Sequence, residues 1–448
     1  MGSGLLLMLG NDEVGMNYAD NTYRFRQDST FFYFLGLDYA GLAAIIDVDE
    51  NREIVFGNEL TIDDIVWTGT QPSLRDKCEP AGISDVRPMS ALKEYIERAR
   101  AKGQSIHFLP PYRGDHRVWL WELTGVEPAA QAAKASVPFI KAIVGQRNYK
   151  DEEELRLIEE SVDLSTKMHL AAYRTVRPGI HECEVAAVVE EVVSSHGGTL
   201  SFPTIATVQG QVLHNHGFIH SMKEGDIFLL DAGAEMHSHY AGDLSSSMPV
   251  GERFTDRQAE VYNIHLRSFW AAVDKLQPGR PFREAHMAAA TEIARGMKEL
   301  GLMKGDPAEA AETGAYALFF PCGLGHMVGL DVHDMENLGE QYVGYAEGMT
   351  KSTQFGFKSL RLARPLEPGF VFTVEPGIYF IPELMDRWEA EGRFRDFIYY
   401  DKLRPWRDFT GLRNELNYVM TDTGARLLGT INKPMTIEEV YAAKASGE

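Results

Sequence analysis

Short apolar runs alternate with amphipathic stretches along the first 145 residues of the chain. Residues 31–35 and 43–46 are apolar and bounded by Gly, Asp or Ser, a pattern that predicts buried strands. Residues 5–9 form a similar run and are also predicted to be a strand. Residues 90–102 follow helical spacing, and the Ala-rich residues 129–135 predict a connecting helix. This mixture predicts an α/β domain.

A second region opens near Lys150. Its first helix is predicted to begin at the acidic residues 151–154, because negative charge is favoured in a first helical turn, and to end before Pro178. The remainder is strand-rich. Further helices are predicted over residues 182–195, 256–276 and 282–300. The sequence therefore predicts two domains, 1–148 and 149–448, of α/β (α+β) class.

Composition narrows the classes of function. The net charge of −21 over 448 residues opposes binding to nucleic acid or to anionic membranes, and no basic stripe offsets it. No stretch reaches the roughly 20 apolar residues that a spanning helix needs. Three widely spaced cysteines, Cys78, Cys183 and Cys322, favour a reducing compartment, and we expect a cytoplasmic protein with neither nucleic-acid nor membrane partners.

Candidate chemistry begins with two aspartates. Asp231 lies at the end of a buried strand predicted over 226–230, and Asp243 follows it by twelve positions, after Tyr240-Ala-Gly. Two strands joined by a tight connection would bring both carboxylates to one place. A single Asp at a strand end is usually a turn residue, so the argument depends on the residues that accompany the pair.

The accompanying residues also come from apolar or glycine-rich surroundings. His326 and His333 lie in a Gly-rich run, Glu375 ends the apolar residues 370–374, and Arg413 and Glu415 share one face of a strand predicted over 411–420. A buried Glu needs a partner or a cation, whereas Arg413 and Glu415 alone would suit a surface ion pair. Carboxylates with an imidazole suit a pair of Mn, Fe(II), Co or Zn ions, which makes water nucleophilic. The candidate ligands are Asp231, Asp243, His326, Glu375 and Glu415.

In this order the motifs resemble the creatinase-like, or pita-bread, metallopeptidases, which include aminopeptidase P and prolidase. Residues 21–36 are similar to the α/β domain that precedes the catalytic domain in these enzymes. The resemblance implies a creatinase-like N-terminal domain followed by a pita-bread catalytic domain. It is carried by Asp231-Ala-Gly, Tyr240-Ala-Gly-Asp243, His326 with His333-Asp334, Val374-Glu375-Pro-Gly and Gly411-Leu-Arg-Asn-Glu415.

The resemblance also implies roles for these residues. Asp231 would chelate one metal, Asp243 and Glu415 would bridge both, and His326 and Glu375 would hold the second. Glu375 would also relay a proton. Three further residues would act on the substrate: His214 would contact it, His333 would stabilise the tetrahedral intermediate, and Arg413 would lie in the substrate site. Two divalent ions are implied, with Mn²⁺ expected and Zn²⁺, Co²⁺ or Fe²⁺ as alternatives.

The sequence departs from the family pattern around the ligands. The two aspartates are twelve rather than eleven positions apart, which predicts a bulged connection. Residues 245–247 are serines where Thr-Arg-Thr is usual, Cys322 replaces a His, and Leu416 replaces an Asp. Two insertions, 339–362 and 382–409, are expected to be surface excursions or a wall that limits substrate length.

The expected activity is an Xaa-Pro aminopeptidase, which cleaves the bond between an N-terminal residue and a following proline. The alternatives are an Xaa-Pro dipeptidase (prolidase) and a catalytically impaired peptide-binding homologue. Creatinase is disfavoured because the ligand set is complete, and methionine aminopeptidase because an N-terminal domain is present. The resemblance also implies a homodimer or higher homo-oligomer, in which the N-terminal domain reaches a neighbouring active site. Trp67 is nevertheless interpreted as an ordinary core residue.

Overall fold

The computed structural model describes residues 1–446 and divides the chain into two compact units, Met1–Gln146 and a second that begins at Arg147. Both units mix helices with strands. No helix in the described part of the chain is both long enough and apolar enough to cross a membrane.

The first unit is built on a mixed five-stranded sheet with the strand order β4-β3-β2-β1-β5. β1 pairs with β2 in antiparallel and with β5 in parallel orientation. The strands are β1 (Leu5–Leu9), β2 (Ala43–Asp47), β3 (Arg52–Gly57), β4 (Asp85–Pro88) and β5 (Ile106–His107). Their alternate side chains, including Leu7, Ile45 and Ile54, form the core of this unit with residues of two helices.

Helices lie between these strands and after them in the sequence. They are α1 (Ser29–Leu35), α2 (Ile62–Thr68), α3 (Leu74–Cys78), α4 (Ala91–Ala101), α5 (Gly114–Thr124), α6 (Gln131–Lys134) and α7 (Val137–Arg147). The helix predicted over residues 90–102 is confirmed as α4. The connecting helix predicted over 129–135 is confirmed in part, because its first residues form a 3₁₀ turn before α6.

The prediction of a strand over residues 31–35 was wrong, because these residues belong to α1. Asp28 caps the helix by accepting a hydrogen bond from the backbone N–H of Phe31, at 2.9 Å. Gly36 ends it with a left-handed φ of 65°. A short apolar run has no period that separates strand from helix, and here the capping residues on both sides decide for the helix.

The interpretation of Trp67 as a core residue was also wrong. Its side chain is 86% exposed, and Ile62 and Val66 of the same helix α2 are exposed as well. Thr61 and Asp64 form a capping box that starts this helix. Polar capping residues therefore start this helix, and its apolar side chains are not covered by other residues of its unit.

The helices of the second unit include the three longest in the described chain. They are α8 (Glu152–Thr175), α9 (Glu182–Ser195), α10 (Asp256–Val273), α11 (Phe282–Glu299), α12 (Pro307–Thr313), α13 (Glu340–Val343), α14 (Pro382–Glu391), α15 (Tyr400–Leu403) and α16 (Ile437–Ala445). α8 to α11 confirm the four helices predicted in this region. α8 starts at a capping box formed by Asp151 and Glu154, as its acidic first turn indicated.

The strands of this unit form small antiparallel sheets, with the orders β10-β8-β7, β11-β14-β15, β12-β13 and β6-β9. They are β6 (Thr199–Leu200), β7 (Ile205–Thr207), β8 (Ile227–Ala232), β9 (Ala234–Glu235), β10 (Leu244–Pro249), β11 (Val371–Val374), β12 (Gly377–Tyr379), β13 (Gly411–Arg413), β14 (Leu416–Thr421) and β15 (Gly424–Leu427). The strand expected over 411–420 is interrupted at Asn414 and Glu415. The N–H of Glu415 donates to the carbonyl of Ser245 in β10, at 3.1 Å, and this contact brings three of the sheets to one place.

Candidate metal centre

One pocket of the second unit gathers every candidate site residue. Its cavity measures about 220 Å³, which lies below the roughly 300–1,000 Å³ of drug-sized ligand sites and suits the end of a small peptide. The residues predicted from sequence that line it are His214, Asp231, Asp243, His326, His333, Glu375, Arg413 and Glu415.

The pairing of β8 with β10 brings the two aspartates together. Asp231 lies opposite Ser245 in the register, and Asp243 directly precedes β10. The backbones approach closely here, since a Cβ on Gly233 would lie 1.9 Å from the carbonyl oxygen of Gly242. The long connection between the aspartates contains His239 at a positive φ of 63°.

His326 is aimed by its backbone surroundings. Its segment pairs with β11, where Thr373 N donates to the carbonyl of His326 at 3.0 Å. Nδ1 of His326 donates to the carbonyl of Met327 at 3.0 Å, which leaves Nε2 facing the pocket. Nε2 lies 3.2 Å from Oδ2 of Asp243 and 3.3 Å from Oε1 of Glu375.

Arg413 and Glu415 are both buried, so the surface ion pair that their spacing allowed is excluded. Arg413 donates to Oδ2 of Asp231 at 2.5 Å, to Oγ of Ser245 at 2.8 Å and to the hydroxyl of Tyr379 at 2.8 Å. Ser245 in turn donates to Oε2 of Glu415 at 2.8 Å. Ser245 therefore orients two site residues.

His333 lies at the rim beside His326, with 4.2 Å between the ring centroids. Its Nδ1 lies 2.5 Å from Oε2 of Glu336. Burial, followed by the charge of His326, lowers the pKa of His333, while Glu336 raises it. The ring is therefore neutral at neutral pH, with Nδ1 donating to Glu336 and Nε2 free to face a ligand.

Buried ion pairs anchor the loop that carries His333. Asp334 is 3% exposed and accepts from Arg147 and from Lys150, each at 2.7 Å. Burial by itself would raise the pKa of Asp334, but Lys150 and Arg147 together hold it below its usual value. The carboxylate thus stays ionised in the interior and fixes the residue next to His333.

A family model described as metallopeptidase family M24 matches residues 156–422, and one described as the N-terminal domain of aminopeptidase P matches residues 1–109. The chain belongs to metallopeptidase family M24. The resemblance noted from the motifs is confirmed.

Known relatives of this M24 metallopeptidase extend over almost its full length. The Xaa-Pro dipeptidase of Rattus norvegicus is 30% identical over 454 residues, which cover 99% of this chain and 89% of that protein. The Xaa-Pro aminopeptidase of Escherichia coli (strain K12) is 26% identical, covering 95% of this chain and 91% of its own. The solved structure of Pseudomonas aeruginosa aminopeptidase PepP matches with a TM-score of 0.81 at 24% identity, over 100% of this chain and 95% of that one. The predicted fold is confirmed.

The donor set of the M24 centre fits divalent metal ions. Ligand atoms of Asp243, His326 and Glu415 lie within 4.8 Å of one another. Oδ1 of Asp231 and Oε1 of Glu415 are buried and have no hydrogen-bond partner among the described protein atoms. Such buried oxygens are costly unless a cation satisfies them.

The electrostatics of the centre also require positive charge. Burial, reinforced by neighbouring carboxylates, raises the pKa of Asp231 and Asp243 and raises that of Glu415 well above its usual value. Burial lowers the pKa of His326, but Asp243 and Glu375 outweigh it and raise the pKa overall. Arg413 compensates one carboxylate, and divalent ions would compensate the remainder.

Sequence reasoning missed Arg361, which lines the pocket together with Ser359. Its Nε lies 3.3 Å from Glu336 and 3.6 Å from Glu340, whereas the structure gives its terminal nitrogens no hydrogen bond within residues 1–446. The insertion 339–362 therefore supplies a wall of the pocket. No residue of the insertion 382–409 lines the pocket. From a single sequence, nothing about a basic residue in an insertion predicts that it lines the pocket.

Cys322, at the position usually held by His, also lines the pocket. Burial, followed by the charge of Glu375, raises the pKa of its thiol to about 12. The side chain is therefore a neutral thiol at neutral pH, small and weakly polar.

Proposed function

We propose that this chain hydrolyses the peptide bond that precedes proline, as a metal-dependent peptidase. Membership of family M24 and relatives named Xaa-Pro dipeptidase and Xaa-Pro aminopeptidase support this activity. The observation that carries it is the convergence of Asp243, His326, Glu375 and Glu415 in one pocket, with His214, His333 and Arg413 around them. The two domains are then 1–148 and the catalytic domain 149–448.

Five residues would hold two divalent ions, with Mn²⁺ as the proposed native metal. When bound, the ions would lower the pKa of a coordinated water and polarise the scissile carbonyl. The ligands we propose are Asp231, Asp243, His326, Glu375 and Glu415. Oxygen donors dominate this set, which favours Mn²⁺ over the softer metals.

The remaining side chains act on protons and on developing charge. The water oxygen bonds to the carbonyl carbon, the bond to the proline nitrogen breaks, and Glu375 relays the water's proton to that nitrogen. His333, a neutral donor at the rim, stabilises the negative charge that develops on the carbonyl oxygen. His214 contacts the substrate, and Arg413 holds Asp231 and borders the substrate site.

Purified protein supplied with Mn²⁺ tests this proposal. We expect about two metal ions per chain by mass spectrometry and hydrolysis of Xaa-Pro peptides but not of matched Xaa-Ala peptides. Glu375→Gln should abolish turnover while the chain stays folded. A metal-loaded protein without turnover on any Xaa-Pro peptide would leave the peptide-binding homologue as the better description.

Aminopeptidase and dipeptidase activities share these groups and differ at the far end of the substrate. Arg361 favours the dipeptidase, because it places a guanidinium in the wall of the pocket that holds the candidate ligands, with its Nε turned to Glu336 and Glu340. A guanidinium binds a carboxylate through two parallel hydrogen bonds, and a dipeptide presents its C-terminal carboxylate next to proline. Comparing kcat/KM for Xaa-Pro and for Xaa-Pro-Yaa decides between the two. Preference for the tripeptide would establish the aminopeptidase.

We further propose a cytoplasmic homodimer. The three cysteines are free, which agrees with a reducing compartment. The exposed Ile62, Val66 and Trp67 of α2 form an apolar surface that a second copy would cover. Sedimentation analysis should show a dimer for the wild-type chain and a shift towards monomer for Trp67→Ser. A wild-type monomer would contradict the proposal.

A further inference from the structure

The segment that carries His214 is an irregular stretch, residues 208–220, between β7 and the strand pairing that resumes at Ser221. Its first residue, Val208, is buried, as is Met222 just beyond its end. Between Val208 and His220 none of the hydrophobic side chains is fully buried: Leu213 and Phe218 are half-buried, and Val212 and Ile219 are exposed. Apolar packing therefore does little to fix the position of His214. Local opening of such a segment costs little free energy unless polar contacts hold it.

A single buried carboxylate supplies those polar contacts at both ends. Glu182, the first residue of α9, has no exposed surface. Its Oε1 accepts from the hydroxyl of Thr207 and from the N–H of Val208, each at 2.9 Å, where the segment begins. Its Oε2 accepts from the N–H of His220 at 2.9 Å and from Nδ1 of His220 at 3.0 Å, where the segment ends.

The contact extends from Glu182 to the neighbour of His214. The hydroxyl of Thr207, which donates to Glu182, accepts from Nδ2 of Asn215 at 3.0 Å and from the N–H of Gln209 at 2.9 Å. Asn215 directly follows His214. The hydroxyl of Thr207 thus links the Glu182 carboxylate to Asn215, the residue next to His214.

Backbone contacts also hold the segment. A Cβ on Gly210 would lie 2.5 Å from the carbonyl oxygen of Gly411 in β13, so the two backbones are in close contact. At the far end, the backbone N–H of Glu182 donates to the carbonyl of His220 at 3.1 Å, and His181 pairs with Ser221. These backbone contacts do not depend on the Glu182 side chain, so loss of the carboxylate would loosen the residues between the two ends rather than detach either end.

We propose that Glu182 is a positioning residue, which holds the segment 208–220 in place so that His214 faces the pocket. The role of His214 in this inference rests on the proposed function. The contacts by which Glu182 holds both ends of the segment belong to the fold and do not depend on that function. Glu182 touches neither the pocket nor its candidate ligands, so it acts only through the segment. α9 thereby takes part in substrate binding although none of its residues lines the pocket.

Hydrogen exchange tests, independently of catalysis, whether Glu182 holds the segment 208–220 in place. Glu182→Gln keeps the shape but replaces one acceptor oxygen with a donor, which opposes the N–H of His220. We expect exchange of amides 209–219 to become about tenfold faster, with α8 and α10 unchanged. Glu190→Gln, an exposed change on the same helix, should leave all rates as in the wild type. Unchanged exchange in the Glu182 variant would overturn the proposal.

Kinetics test whether the effect passes through His214. Glu182→Gln should lower kcat/KM on an Xaa-Pro peptide about tenfold. In a His214→Ala background the same change should cause no further loss, because the residue it positions is absent. An equal fold-loss in both backgrounds would show that Glu182 supports the fold in general, and it would overturn the positioning role.

A second variant covers the case in which Glu182→Gln does not fold. Thr207→Val is nearly isosteric and removes only the hydroxyl between Glu182 and Asn215. It should raise exchange in 209–219 and lower kcat/KM about threefold, with the same dependence on His214. If the wild-type enzyme cleaves no Xaa-Pro peptide, the proposed function fails, while the exchange rates still decide the role of Glu182.

Discussion

Arg413 and Asp231 form a buried ion pair, with Nη2 of Arg413 2.5 Å from Oδ2 of Asp231. The guanidinium also binds Ser245 and Tyr379, so its donors are directed by three different strands. Arg413 is buried and lines the pocket, so it both links these strands and places a positive charge beside the candidate ligands. Its side chain offsets one of the four carboxylates that would hold the metals.

Removing Arg413 should destabilise the metal-free chain more than most single changes. Arg413→Met leaves Asp231 buried without its partner, a change that typically costs about 3–5 kcal/mol. Denaturant unfolding of the metal-free protein measures this loss, which added Mn²⁺ should partly restore. Arg387→Ala breaks the exposed pair with Glu391 and should cost less than about 1 kcal/mol. Equal losses for the two variants would contradict the proposed electrostatics.

Glu415→Gln should change stability and metal content in opposite directions. Burial and the charges of Asp243 and Glu375 raise the pKa of Glu415, so a neutral amide removes repulsion from the metal-free site. Calorimetry should show a Tm of the metal-free variant about 3 °C above that of the metal-free wild type. Its metal content should fall below two per chain and its turnover should be lost. The exposed Glu252→Gln, as control, should alter none of these, and a fully loaded Glu415 variant would contradict the ligand assignment.

Asp334 should contribute stability that disappears in acid. Lys150 and Arg147 hold its pKa below the usual value, so its contribution is present above the unfolded pKa of about 3.9 and is lost as pH falls through the folded pKa. The difference in unfolding free energy between wild type and Asp334→Asn should therefore be constant near neutrality and shrink below about pH 4. A difference that is independent of pH down to pH 2 would show that Asp334 acts by packing alone.

Arg361→Met should separate the two candidate activities. If the guanidinium binds the carboxylate of a dipeptide, KM for Xaa-Pro should rise at least about tenfold, while KM for Xaa-Pro-Yaa amides changes little. Lys351→Met is the matched control, because Lys351 lies in the same insertion and is already paired with Glu340. An equal change for both substrates would assign Arg361 to the pocket wall only.

The cysteines should differ in reactivity. Cys183 is exposed, whereas burial raises the pKa of Cys322 to about 12 and keeps it protonated. Treatment with iodoacetamide at pH 8 should label Cys183 first and leave turnover intact, as measured by peptide mass spectrometry beside an activity assay. Rapid labelling of Cys322 with loss of turnover would show instead that the pocket activates this thiol.

Local patterns were sufficient for much of the fold. The acidic residues 151–154 predicted the start of α8, and the apolar run before Asp231 predicted β8, because both features depend on neighbours in sequence. The same reasoning failed at residues 31–35, where a run too short to show a period was assigned to a strand. The polar and Gly residues that bound this run were interpreted as limits of a strand, whereas Asp28 and Gly36 are the caps of a helix.

The sequence by itself determined which groups are available for chemistry: carboxylates at strand ends, histidines among glycines and the order in which they occur. Only the tertiary structure decided their partners. Ser245 joins Arg413 to Glu415, Arg361 reaches the pocket from an insertion, and Glu182 holds a segment more than twenty positions away. These relations depend on strand register and on long-range packing, which no local propensity encodes, because residues far apart in sequence meet only when the sheets and helices come together.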